Sequence, residues 1–146
     1  MNIEFEKFEK IVMSKLLEGD DPVLEILRKQ YENAKTIDKY FTFKGFFIEY
    51  SIPENLPRVD SPKNFEVGDL SGNINGTFVL FILFIRNGVI DFLEGCTAFE
   101  PWPQPIQSYD LVYTVKNRKD PRKQSVSKQR DMKTLRTQLE ERKSNK

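Results

Sequence analysis

The stretch GTFVLFILFIRNGVIDFLEGC, Gly76 to Cys96, decides the fold. Phe78 to Ile85 is apolar at every position. Eight residues are too few for a membrane helix, which needs roughly 20, so the run belongs inside a globular core. Asn87-Gly88 follows it and supplies the positive φ angles of a tight hairpin turn. Val89 to Cys96 then returns antiparallel, with Ile90, Phe92 and Glu94 expected on one face and Val89, Asp91 and Leu93 on the other. Because the first strand has no polar side, the pattern predicts a central strand covered on both faces.

Working outward, the same period recurs on both sides. Thr36–Thr42 and Phe46–Ile52 read as two strands meeting at Lys44-Gly45, with Phe46, Ile48, Tyr50 and Ile52 facing the core. In FEVGDL, Phe65, Val67 and Asp69 alternate with Glu66, Gly68 and Leu70, and Asn75-Gly76 marks another turn. SYDLVYTV, Ser108 to Val115, reads as a last strand. Toward the N-terminus the period lengthens. Phe5, Phe8, Val12 and Leu16 recur at helical spacing with Ile11 beside them. GDDP, Gly19 to Pro22, ends that helix and starts another, with Asp21 as cap and Pro22 in the first turn. The second helix would run to about Lys35, burying Val23, Leu24, Leu27 and Tyr31. The expected fold is α+β: two N-terminal helices packed on a mainly antiparallel sheet.

Charge divides the chain. Through Val115 there are 11 Lys and Arg against 18 Asp and Glu, net −7; beyond it there are 12 against 4, net +8. Residues 1–115 read as the folded domain. Residues 116–146, basic and poor in apolar side chains, read as a disordered or partly helical tail. Met132, Leu135 and Leu139 form one weak helical stripe in it. The simpler reading of the tail is a solvated flexible end; the alternative is weak binding of nucleic acid or anionic membrane, without sequence preference and through phosphate contacts alone.

The chain has 146 residues, no histidine and one cysteine. Histidine-based nucleophilic catalysis, histidine metal ligation and a Cys/His zinc site are thereby excluded. No phosphate-binding glycine loop occurs, and no cofactor or metal is expected. A single cysteine permits no internal disulfide. With no apolar leader or spanning segment, a cytoplasmic location is expected.

Three groups of residues invite a functional reading. Glu94 and Glu100 flank Cys96 in LEGCTAFEPWP, Leu93 to Pro103. As a carboxylate pair they would serve a small hydrolase, provided they stood about 5 to 9.5 Å apart around a sugar. The simpler reading gives Glu94 to the backbone amides of the following loop, Gly95 to a turn, and Trp102 to closing the sheet. Cys96, without a histidine base, reads as a small apolar filler. Glu49, Glu66, Asp69 and Asp91, with Trp102, make a candidate partner-binding surface. An acidic face of this kind mimics nucleic-acid phosphate and can block a basic partner.

LLEGDDPVLEILRKQYENA, FTFKGFFIEYSIP and FVLFILFIRNGVIDFLEGCTAFEPWP follow one another in an order that resembles a group of small bacterial proteins. Those have a GDDP helix break and a closing LEGYTY…WP motif. The resemblance spans Leu16 to Pro103. Here Cys96 stands where an aromatic is usual, and NINGTF is less glycine-rich than in the group. The resemblance implies a small intracellular binding protein of the immunity type, which neutralises a bacterial toxin by direct contact. Enzymatic activity is the lesser expectation.

Overall fold

The computed structural model describes residues 2–117, 119–120 and 122–144. Helices α1 (Phe5–Leu16) and α2 (Pro22–Glu32) precede strands β1 (Lys35–Phe41), β2 (Gly45–Ser51), β3 (Phe65–Ile74), β4 (Thr77–Arg86), β5 (Val89–Cys96), β6 (Tyr109–Lys116) and β7 (Gln124–Ser127). Helix α3 (Met132–Ser144) ends the described chain. All seven strands form one antiparallel sheet in the order β1-β2-β5-β4-β3-β6-β7. The fold is α+β.

The punctuation is local chemistry. Asp21 Oδ1 accepts the Val23 N–H at 2.8 Å, and Pro22 occupies the first turn of α2. Asn75-Gly76 and Asn87-Gly88 both take positive φ at both residues, which gives the tight turns of the β3–β4 and β4–β5 hairpins.

The three helices cover one face of the sheet. Helix α1 lies across β3, α2 across β5, and α3 across β3 and β6. Phe8, Val12 and Leu16 of α1 and Leu24 and Leu27 of α2 are fully buried against Phe46, Ile48, Phe81 and Leu83. Gln30 of α2 ties the layers together. Its amide donates to Pro57 O and Gly88 O, and its carbonyl oxygen accepts the Ile90 N–H.

Two expectations give way. Strand β4 is central, but only one of its faces is covered. Val79, Phe81, Leu83 and Ile85 are buried, whereas Phe78 is 51% and Leu80 42% exposed. An all-apolar run has no polar side to reveal which face is open.

The segment read as a disordered or partly helical tail does contain a helix, α3, and that helix packs on the domain. Residues 124–127 pair with β6, and Leu135 and Leu139 of α3 are buried in the core. The physical reason is ion pairing with the acidic body. Arg130 meets Asp69 at 2.6 Å with both side chains buried, Arg136 stands 3.5 Å from Asp21, and Lys128 pairs with Asp110. Residues 118, 121, 145 and 146 of that segment lie outside the described residues.

The Arg130 contact explains the end of α1. The last turn of a helix leaves carbonyls without intrahelical donors. Tyr113 Oη donates to Lys15 O, Arg130 to Leu16 O and Glu18 O, and Arg28 to Leu17 O and Gly19 O. A residue more than 110 positions away thus caps the first helix, in the sense that cations suit.

Candidate functional site

The face of the sheet opposite the helices is a ladder of rings and carboxylates. Strand alternation builds it, since every second residue of β1, β2, β5 and β4 points away from the core. One cross-strand row runs Tyr40, Phe47, Glu94, Ile82; the next runs Asp38, Glu49, Phe92, Phe84, Glu66. The rings touch in sequence across four strands. Tyr40 and Phe47 stack at 5.3 Å between centroids, Phe47 and Phe92 lie tilted at 6.1 Å, and Phe92 and Phe84 stack at 4.3 Å and 14°. Each of Phe47, Phe84 and Phe92 has a carboxylate directly opposite on a neighbouring strand: Glu94, Glu66 and Glu49.

Two bulges decide which carboxylates belong to this face. At Asp91 the β4–β5 register shifts, so Ile90 and Leu93 both turn inward while Phe92 and Glu94 stay outward. The expected grouping of Ile90 with Phe92 fails for that reason. Asp91 stands 3.9 Å from Arg86, whose guanidinium carbon lies 5.8 Å from the Phe84 ring centre. In β3 the register shifts between Val67 and Leu70. Asp69 is fully buried there, held by two donors of Arg130 at 2.9 and 2.6 Å, and takes no part in the outer face. Of the expected partner-binding acids, Glu49, Glu66 and Asp91 come together on the open face and Asp69 does not. Asp38 and Glu94 complete the group. Asp38 was visible only once the β1–β2 pairing was known.

Trp102 also lies outside that surface. It is 7% exposed and packs edge-on to Phe46 at 5.1 Å and Phe81 at 6.4 Å. These two residues flank Gly95 in the same cross-strand row. A Cβ on Gly95 would stand 2.2 Å from the Phe46 ring. Gly95 therefore serves close packing inside β5 rather than a turn, and Trp102 fills the corner beside it. Its Nε1 is buried without a hydrogen-bond partner among the described residues.

The carboxylate pair does not converge. Glu94 points to the open face beside Ile82, and burial pushes its carboxyl above the usual range. Glu100 accepts a hydrogen bond from Thr77 Oγ1 at 3.0 Å. Thr77 alternates with Val79 and Phe81 on the helix side, five residues from Ile82, or roughly 16 Å along the strand. The two carboxylates are on opposite sides of the sheet and cannot flank one bond. Nor does Glu94 take the loop amides assigned to it. Thr97 N–H donates to Lys44 O and Trp102 N–H to Phe43 O. Burial, with Glu94 nearby, also raises the half-buried Cys96 thiol, against the opposing charge of Lys44.

A second concavity of about 490 Å³ lies between α1, α2 and the β1 edge, lined by Glu6, Glu9, Tyr31, Lys39 and Tyr50 among others. Four of its polar groups pair with one another. Tyr50 Oη donates to the buried Glu9 at 2.5 Å, and Lys39 stands 3.6 Å from Glu6 and 3.9 Å from Glu9. Burial is the main reason the Tyr31 hydroxyl is pushed up to about 12, with the Glu9 charge adding to it. Among the described residues no group of three or more Asp, Glu or Cys is placed to hold a metal, and no helix is long and apolar enough to cross a membrane.

No protein-family model, curated protein or solved structure matches the chain.

Proposed function

We propose that this chain is a small intracellular binding protein of the immunity type, which neutralises a toxin by docking a basic surface on its open sheet face. The observation that carries the reading is the outward row of half-buried rings set among carboxylates, with Tyr40, Phe78 and Leu80 exposed. Sheet faces left bare in a folded chain are costly in water unless a partner covers them. Phe47, Phe84 and Phe92 supply apolar contact area, and Glu49, Glu66 and Glu94 around them attract positive charge and speed encounter. The same charges repel phosphate, which disfavours nucleic acid on this face. In the basic C-terminal segment Arg130 is buried in its pair with Asp69, while Lys128 and Arg136 pair with the body at its surface.

The test is co-expression with the product of the neighbouring reading frame in the source genome. A stable complex is expected, together with relief of any growth arrest which that product causes alone. Glu49→Lys combined with Glu66→Lys should abolish both, while the folded state is retained by circular dichroism. A complex indifferent to this double variant would overturn the reading.

A further inference from the structure

The geometry points to a narrower recognition on this face, resting on the reading above: it selects arginine over lysine, holding guanidinium groups between a phenylalanine ring and the carboxylate beside it. Three such ring–carboxylate pairs recur, Phe47 with Glu94, Phe92 with Glu49 and Phe84 with Glu66, each set by direct cross-strand register. Side chains directly opposite one another stand about 4.5–5.5 Å apart at Cβ. A guanidinium is flat, so it can lie on the ring while its edge donates to the carboxylate. An ammonium is a compact, strongly hydrated point charge and has no flat face to stack. The chain itself carries an example of the arrangement. Arg86 lies 5.8 Å over Phe84 with its Nε 3.9 Å from Asp91, half exposed on the same face. A partner that merely carries positive charge would satisfy the carboxylates and leave the rings uncovered. A partner that presents arginines covers both.

The occupant is therefore a protein segment displaying several arginines. Charge repulsion disfavours a second copy of the same face at low ionic strength, since Glu49, Glu66 and Glu94 would then meet their own kind.

The experiment uses the full chain, isotope-labelled, and three synthetic peptides of equal length that carry arginine, lysine or citrulline at alternate positions among serines. At low ionic strength the arginine peptide should bind at least about fivefold more tightly than the lysine peptide. The citrulline peptide, flat but uncharged, should not bind. Shifts should fall on β2, β5 and β4. Phe92→Leu keeps an apolar side chain without a ring, and should lower the ratio of arginine-peptide to lysine-peptide affinity. Glu49→Gln should weaken both peptides. Equal affinity for arginine and lysine peptides would overturn the inference, as would shifts confined to α1 and α2. Were a basic partner captured by co-expression with no arginine preference, the selectivity would fall and the docking reading would stand. Were arginine selectivity present with no such partner, the reverse would hold.

Discussion

Burial raises the Glu94 carboxyl, which fixes the sign of its effect on stability. Its carboxyl titrates higher in the folded chain than in the unfolded one. The folded state therefore binds more protons in the window between the two values, and stability falls as pH rises through that window. Above it the cost is present in full. Glu94→Gln should accordingly raise the melting temperature at neutral pH, by no more than about 1 kcal/mol in stability given the solvent screening at this half-open site. The advantage should disappear below the ordinary carboxylate range. Parallel thermal melts at acid and neutral pH check this, and a variant less stable than the parent at neutral pH would contradict it.

Trp102 sits at the same scale with the opposite consequence. Trp102→Ala should destabilise by about 3–5 kcal/mol, because its ring fills the corner beside Gly95. Trp102→Phe should cost much less, since it also removes the buried Nε1–H that lacks a partner. Chemical denaturation of the two variants separates packing from polar burial; equal losses would refute the account. The sequence foretold the turns at Asn75-Gly76 and Asn87-Gly88, because their chemistry is local. It did not foretell why Gly95 is glycine, because Phe46, the residue that would clash, is forty-nine positions away.

Elements show where periodicity stops being informative. Helix α2 and strand β2 were legible because their apolar residues alternate with polar ones at a definite period. Strand β4 was not fully legible, since Phe78 and Phe81 look alike in sequence and face opposite ways. Strands β3 and β5 each carry a bulge that turns one acid into another environment, Asp69 inward and Asp91 outward, and nothing local announces a bulge. Helix α3 was read as solvated or transient because its stripe of Met132, Leu135 and Leu139 is thin. What seats the segment is Arg130, which satisfies Asp69, the last carbonyl of α1 at Leu16 and the Glu18 carbonyl just beyond it at once. Arg130→Met should therefore destabilise by about 3–5 kcal/mol, leaving a buried carboxylate unpaired. Arg130→Met with Asp69→Leu should recover much of that loss. Removing residues 128–146 should lower the melting temperature by at least about 10 °C. An unchanged melting temperature in the truncated chain would mean that the segment contributes nothing to the fold.

At the scale of the whole molecule, a seven-stranded sheet with helices on one side leaves an apolar face to water, and its carboxylates keep that face from meeting itself. The strand order β1-β2-β5-β4-β3-β6-β7 brings residues from positions 38 to 94 into two rows, which no reading of separate strands could assemble. Glu49 and Glu66 were singled out as acids; that they flank the stacked Phe92–Phe84 pair is a product of the order. Two copies placed face to face would bury the rings and also bring several like charges together, a device that natural sheets use against self-association. The parent chain should therefore be monomeric at neutral pH and low ionic strength. Raising salt screens the repulsion while leaving the apolar attraction intact, so weak self-association should grow with salt, opposite to an assembly held by ion pairs. Glu49→Gln, Glu66→Gln and Glu94→Gln combined should dimerise even at low salt, because the rings remain and the charges are gone. Sedimentation velocity across a salt series on both proteins measures this directly. A triple variant that stays monomeric at the highest attainable concentration would show that the carboxylates do not guard the face, and that their place beside the rings serves only the partner.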